Sequence, residues 1–205
     1  MWLWLPTSPP PSRLANLAQD AIKKVMPKAC AARSYLRRLA KRCAEHNKPF
    51  RCTMATGLSM LNAAPDYFKS IIKRIKVPLA NRTRWRNFTV GNTNEILVTE
   101  AVRAAPANFV HALDAAHLHL IALAAAAEKI PLVAVHDSFA TIATRAKRLN
   151  EITRDQFVAL HEPYWLNAAW ESVKRDLPKT AKVPRPPKRG PLDITDVRKN
   201  FRAYS

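Results

Sequence analysis

The chain has 205 residues, of which 48% are hydrophobic, so it can bury a sizeable core, and wholesale disorder is excluded. Its formal net charge is +19, and a surface this basic favours a polyanionic partner. We expect nucleic acid, because each neutralised phosphate releases a counterion. An acidic membrane surface is a weaker alternative, and association with the ribosome or the nucleoid is a serious one. The cysteines lack paired spacing, which argues against a zinc site and favours reduced thiols in the cytoplasm.

The first part of the chain is predicted to be helical. Residues 1–11 are proline-rich and are expected to form an irregular tail without the basic region of a signal peptide. From residue 13 to about residue 43, alanine and leucine recur at helical spacing among basic residues. Pro27 divides this stretch into two helices or kinks a single one.

The next part is predicted to be mainly extended. Residues 50–57 favour a strand that ends in a turn, whereas Pro65 is expected to open a short helix over residues 66–73. Alternation with a period of two predicts a β-hairpin over residues 74–100, with residues 91–94 as its turn and residues 96–99 in the returning strand. The arginines at 82, 84 and 86 interleave with a tryptophan, which favours contact with DNA over a merely solvated face.

The second half of the chain is predicted to be helical around one short strand. An alanine-rich helix is expected to follow residues 108–111 and to run to about residue 129. Its apolar run at residues 118–127 is too short to span a bilayer, so we expect a buried helix and no membrane contact. The β-branched run at residues 131–135 predicts a buried strand. Three further elements are expected: helices over residues 145–173, a proline- and lysine-rich connector over residues 178–191, and a last short helix capped by Asp193 or Thr195.

The predicted buried strand ends at His136 and Asp137. An aspartate at such a position can be a turn residue that bonds its own backbone. It can equally be a ligand of Mg²⁺, which prefers hard oxygen ligands. Nucleotidyl transfer by two metal ions uses carboxylates to hold the ions about 4 Å apart, so a single aspartate supplies half of such a site.

Four segments, in order along the chain, carry a resemblance to a known family. Residues 135–139 read VHDSF, similar to the HDSFG motif of the single-subunit RNA polymerases of bacteriophages and mitochondria. Residues 106–118, PANFVHALDAAHL, resemble that family's APNFxHSxDxSHL segment at the same separation from the motif. Residues 56–58, TGL, resemble its TPxGFPV segment, and residues 190–205 resemble its GxLxLxDI…FAFA ending.

The resemblance implies a mostly helical α+β fold, the C-terminal palm and fingers portion of a right-hand polymerase with a projecting β-hairpin. It implies an irregular tail at residues 1–11 and the polymerase portion at residues 12–205, within which residues 74–100 are the specificity-loop-like hairpin and residues 178–205 the linker and C-terminal foot. The implied function is DNA-directed RNA synthesis with Mg²⁺ as cofactor. The implied partners are promoter and template DNA, RNA product and nucleoside triphosphates, in the cytoplasm (of a bacterial host if the gene is a phage's).

The resemblance also implies roles for individual residues. Asp137 is similar to a catalytic carboxylate that binds Mg²⁺, and His136 to the neighbouring histidine that shapes the site. His111 is similar to a histidine that contacts the minor groove near the active site. Candidates for base contacts in the major groove, to which arginine brings a bidentate fork for guanine, are Arg74, Lys76, Arg84 and Arg86.

Departures from the family pattern leave alternatives open. Ala112, Ala116 and Ala140 replace two serines and a glycine of the motifs, which supports a non-catalytic, basic DNA-binding protein on the same fold. The C-terminal part of a related DNA polymerase is a further alternative, although Ser138 and Phe139 favour an RNA polymerase. The family's upstream motifs, with a second aspartate and a nucleotide-binding lysine and tyrosine, have no counterpart in residues 1–11. The chain is therefore expected to be inactive alone, as a truncated copy or as a subunit that needs a second polypeptide.

Overall fold

The computed structural model describes residues 11–62, 68–79, 82–135 and 138–199. Helices predominate over three two-stranded antiparallel sheets, as expected for a mostly helical α+β fold. The helices are α1 (Pro11–Val25), α2 (Pro27–Glu45), α3 (Val98–Ala127), α4 (Ala146–His161) and α5 (Trp165–Asp176). The strands are β1 (Phe50–Thr53), β2 (Ser59–Asn62), β3 (Phe68–Leu79), β4 (Arg82–Ile96), β5 (Val133–Val135) and β6 (Ser138–Ala140). Short 3-10 helices lie at Ala143–Arg145 and Ile194–Lys199.

The predicted division of the first helical stretch is confirmed. Pro27 occupies the first turn of α2, where its missing N–H costs no hydrogen bond, and α1 ends at Val25. The two helices differ in environment, because α2 buries Tyr35, Leu36 and Leu39 whereas α1 leaves its apolar side chains exposed.

Strands β1 and β2 form a short hairpin, which confirms the predicted strand and turn after residue 50. The turn is closed by hydrogen bonds from the Met54 N–H to the Leu58 carbonyl and from the Gly57 N–H to the Met54 carbonyl. Gly57 has a φ of 81°, a conformation that a side chain disfavours, so the turn depends on glycine here.

Strands β3 and β4 pair along most of their length, and we call this two-stranded sheet the ribbon. Three expectations for this region are wrong. Residues 68–73 belong to β3 and not to a helix, because their isoleucines pair with β4. Residues 91–94 lie within β4 and form no turn; the strands are connected instead through residues 80–81, outside the described residues. Residues 98–99 begin α3 and do not continue a strand.

Helix α3 begins at Val98, well before the expected start, and continues through Pro106. The proline cannot donate to the carbonyl one turn back, so an interior proline weakens a helix. Here the Asn62 side chain donates from Nδ2 to the neighbouring Ala101 carbonyl over 2.8 Å, and Asn108 Nδ2 donates to Asn62 Oδ1 over 2.7 Å. Asn62 is only 1% exposed, and this buried polar bridge ties β2 to the turn before the proline.

The two halves of α3 bury different faces. The first half contributes Ala105, Phe109, Ala112 and Ala116 to the main core, which also holds residues from α2, β1, α4 and α5. The second half contributes Ile121 and Ala125, roughly on the opposite side of the helix, to a smaller core with Ile130, Leu149 and Ile152. By length and composition alone α3 could cross a membrane, but a core helix passes the same test, and α3 packs against α2, β2 and α4.

Strand β5 is present as predicted, but the expectation that it is buried is wrong. Val133 and Val135 are 61% and 62% exposed, because β5 pairs only with the three-residue β6 among the described strands. Leu132, just before the strand, packs against the smaller core, but the described residues leave the two valines of β5 exposed.

The last helices and the connector follow the sequence-based expectations. Helices α4 and α5 are separated near Pro163, and Trp165 and Trp170 pack against the main core. Residues 178–191 contain no regular helix or strand. Asp193 Oδ1 accepts hydrogen bonds from the Thr195 backbone N–H (2.9 Å) and hydroxyl (2.7 Å), which caps the final 3-10 helix as predicted.

Candidate nucleic-acid interface and catalytic segment

The ribbon separates its candidate cations onto two faces. Lys76 lies opposite Trp85 and Arg74 opposite Asn87, and cross-strand partners share a face, so these four form one face. Arg84 lies opposite Val77 and Arg86 opposite Ile75, on the reverse face. The four candidates therefore belong to one element, but they do not form a single surface.

Trp85 organises the Arg74 face. The Arg74 guanidinium carbon lies 5.0 Å from the Trp85 ring centroid and Lys76 Nζ lies 5.1 Å from it, so both cations lie within cation–π range of one exposed ring. Asn87 and Thr83 add hydrogen-bonding side chains to the same face. The reverse face carries Ile75, Val77 and Phe88 beside its arginines, and Lys73 lies opposite Phe88 on it.

His111 lies on α3, and its side chain is exposed. Phe109 and Ala112, its neighbours in sequence, point into the main core, and Asn108 holds the buried Asn62 amide. The motif-like segment at residues 106–118 is thus anchored by its buried members and presents His111 to the outside of the helix.

The two alanine substitutions in this segment, Ala112 and Ala116, are explained by packing. Ala112 and Ala116 are 8% and 0% exposed and belong to the main core. A small apolar residue suits both positions, because a buried hydroxyl needs a hydrogen-bond partner. These substitutions therefore do not argue for loss of a site. Ala140, in contrast, is exposed on β6.

His136 and Asp137 lie outside the described residues, as does the expected C-terminal foot at residues 201–205. What the structure describes is their setting: Val135 pairs with Ser138 across β5 and β6. Within the described residues, no three His, Cys, Asp or Glu side chains come together to hold a metal ion.

Helix α3 precedes the β5–β6 pair in the chain and α4 follows it, and the two helices are in contact. Arg148 on α4 donates to both oxygens of Glu128, over 2.9 Å from Nε and 2.6 Å from Nη2, and so ties α4 to the end of α3. His117 Nε2 lies 3.0 Å from the Thr153 carbonyl oxygen, and its ring meets Phe157 edge-on. Burial, aided by the nearby His161, lowers the pKa of His117.

Three features of the structure were not predicted from the sequence. Asn62 and Asn108 carry no pattern that reveals their pairing across 46 residues. His117 joins α3 to α4, and nothing in its local sequence reveals that contact. A basic groove between α2 and the connector was not anticipated, because its two sides are far apart in the sequence.

The chain belongs to the DNA-dependent RNA polymerase family. The family model matches residues 11–190, which include α1 to α5, the ribbon and the segments around His111 and Asp137. This match confirms the family inferred from the four short segments.

Similar curated proteins come from a phage and from plant organelles. The chain is 32% identical over 192 residues to the DNA-directed RNA polymerase of Pseudomonas phage phiKMV. The matched region covers 93% of the chain but 22% of that relative. It is 32% identical over 183 residues to DNA-directed RNA polymerase 2A of Nicotiana tabacum, covering 89% of the chain and 52% of the relative. For the mitochondrial DNA-directed RNA polymerase 1 of Nicotiana sylvestris, identity is 31% and coverage is 89% of the chain and 17% of the relative. The chain thus spans between about a sixth and a half of these relatives.

Proposed function

We propose that the chain supplies the C-terminal palm and fingers portion of a single-subunit, DNA-directed RNA polymerase, and that Asp137 is one of its catalytic carboxylates. The observation that carries the proposal is the family match across residues 11–190. The exposed apolar strand β5 supports it, because a strand of this composition belongs inside a sheet or under another layer. The rest of the polymerase would provide that cover.

Asp137 would bind Mg²⁺ together with a carboxylate from outside this chain's described residues. Bound Mg²⁺ would supply charge neutralisation at the transferred phosphoryl group. His136, its neighbour, would shape the site and not act as a base. Val135 and Ser138, the residues on either side of these two in the sequence, pair across β5 and β6.

The same reasoning predicts that the isolated chain does not synthesise RNA. One carboxylate cannot organise two metal ions, and no nucleotide-binding lysine motif is present upstream of α1 in this sequence. A second polypeptide, or a longer form of this one, would carry the missing motifs. Template DNA, nucleoside triphosphates and the RNA product would be partners of that assembly, in the cytoplasm of a host cell.

The ribbon is proposed to contact promoter DNA. A two-stranded β-ribbon fits the major groove of B-DNA, and residues 82–96 with residues 68–79 form such a ribbon with exposed cations. The Arg74–Lys76–Trp85 face carries the hydrogen-bonding groups suited to base edges. Arg84 and Arg86, on the reverse face, would contact backbone phosphates. His111 would contact the minor groove closer to the active site.

A non-catalytic DNA-binding protein on the same fold is the second candidate, favoured by the exposed basic ribbon and by Ala140. Extension of a primed RNA–DNA template separates the two. The chain alone should add no nucleotides, whereas the chain mixed with a polypeptide comprising the remainder of the phiKMV polymerase should extend the primer. Extension by the chain alone would contradict its proposed incompleteness, and a complex that binds template without extending the primer would favour the non-catalytic protein.

A further inference from the structure

A basic groove lies between α2 and the connector at residues 178–191, on an element other than the ribbon. It has a volume of about 300 Å³ and is lined by cations from both sides, Arg38, Lys41 and Arg42 from α2 and Lys182 from the connector. Val183 and Pro184 give it an apolar wall. Glu45 is its sole acidic lining residue.

Charge in the groove is unbalanced. Glu45 pairs with Arg42 over 2.9 Å and lies 3.9 Å from Lys41, so one carboxylate serves two cations. Within the described part of the chain, neither Arg38 nor Lys182 forms an ion pair. Cations that face each other across a cleft repel, and a bound polyanion removes that repulsion.

The connector is held in place and is not a loose linker. Ala181 and Val183 pack against the main core. The Tyr164 hydroxyl donates to the Pro187 carbonyl, and Arg189 Nη1 donates to the Glu162 carbonyl over 2.7 Å. The groove is therefore preformed, which reduces the entropy lost when a ligand binds.

We propose that this groove binds the sugar–phosphate backbone of a single nucleic-acid strand. Phosphates would meet Arg38, Lys41 and Lys182, and the sugars would lie along Val183 and Pro184. This inference rests on the proposed function for its choice of nucleic acid as the polyanion. RNA and DNA share the phosphodiester chemistry, and the experiment distinguishes them.

The test is fluorescence anisotropy of fluorescein-labelled single strands, an RNA and a DNA of the same sequence, titrated with the chain at several salt concentrations. The groove variant combines Arg38→Gln, Lys41→Gln and Lys182→Gln. Its matched control combines Lys24→Gln, Lys129→Gln and Lys147→Gln, which remove the same charge from exposed positions elsewhere. Circular dichroism and thermal melting establish that both variants are folded.

The groove variant should bind about tenfold or more weakly near 0.1 M salt, and its log–log salt slope should fall by about 2, since each single-strand phosphate contact contributes about 0.7. The control should lose much less affinity and keep the slope. Equal losses in both variants, or no loss in the groove variant, would overturn the proposal. Stronger binding of the RNA strand than of the DNA strand would identify the product as the occupant, and the reverse would identify the template. Because the readout is binding by the chain alone, its outcome is independent of whether Asp137 is catalytic.

Discussion

Asn62 is a buried polar residue that joins β2 to α3 in the turn before Pro106. It donates to the Ala101 carbonyl and accepts from Asn108, so both ends of its amide are used. A buried polar group that loses its partner costs about 1–3 kcal/mol, whereas an exposed substitution usually changes stability by about 0.5 kcal/mol or less.

We therefore expect Asn62→Ala to lower the free energy of unfolding by about 1–3 kcal/mol, measured by urea denaturation. Leu61→Ala is the matched control on the same strand, because Leu61 is exposed and should have little effect. Equal and small effects of both substitutions would show that the bridge does not stabilise the helix.

His117 predicts a pH dependence of stability. Its pKa is lowered in the folded chain by burial, so the unfolded chain, with a histidine pKa of about 6.5, binds the proton more strongly. The stabilising contribution is thus fully present above about pH 6.5 and is lost as the pH falls through the lower, folded-state pKa.

His117→Gln should consequently flatten the acid side of a plot of melting temperature against pH, while keeping an amide donor for the Thr153 carbonyl. His119→Gln, at an exposed position two residues along the same helix, should leave the profile unchanged. If the melting temperature varied with pH in the same way for His117→Gln and for the unsubstituted chain, protonation of His117 would not be a source of the pH dependence.

Sequence patterns predicted most of the elements but not their contacts. Pro27, the glycine turn at Gly57 and the helical spacing in α2, α4 and α5 act locally, so their consequences are visible in sequence. The course of α3 through Pro106 was missed because an interior proline usually ends or kinks a helix, and the Asn62 contact beside it comes from a distant strand. The prediction that β5 is buried was wrong. An apolar run indicates that a strand is suited to a buried position, but it does not show whether other residues of the same chain cover that strand.

At the scale of elements, the ribbon shows the same limit. Alternation correctly identified β-structure near residue 82, since period two is a property of a single strand. The position of the turn was wrong because polar residues 91–94 resemble turn material, whereas pairing with β3 places them inside β4. Only the register of β3 and β4 shows which cations share a face.

That register predicts different effects for the two pairs of ribbon cations. Arg74→Gln with Lys76→Gln should relax the preference for promoter over random DNA, because base contacts carry sequence information. Arg84→Gln with Arg86→Gln should weaken binding to both DNAs alike and reduce the salt slope by about 2. Competition binding with the two DNAs measures this, and identical behaviour of the pairs would contradict the assignment of faces.

At the scale of the whole molecule, two exposed apolar surfaces suggest that the chain functions within a larger assembly. One is β5, and the other is α1, where Leu14 and Leu17 are 52% and 59% exposed on an amphipathic helix. Exposed apolar patches commonly mark interaction sites. The relatives extend well beyond the matched segment, so both surfaces have candidate cover in the remainder of a polymerase.

Leu14→Gln with Leu17→Gln should accordingly leave the unfolding free energy of the isolated chain within about 0.5 kcal/mol. The same pair should weaken association with the remainder of the phiKMV polymerase, measured by analytical ultracentrifugation. Strong destabilisation of the isolated chain would show that α1 is part of its own core and not an interface.

Primer extension by the complemented polymerase, compared between Asp137→Asn and the unsubstituted chain, tests the central proposal most directly. Glu171→Gln, which also removes one exposed carboxylate, is the control. Loss of a metal ligand removes several kcal/mol of transition-state stabilisation, so Asp137→Asn should slow nucleotide addition at least about a hundredfold while complex formation persists. Extension at the unsubstituted rate by the Asp137→Asn complex would show that Asp137 is not catalytic.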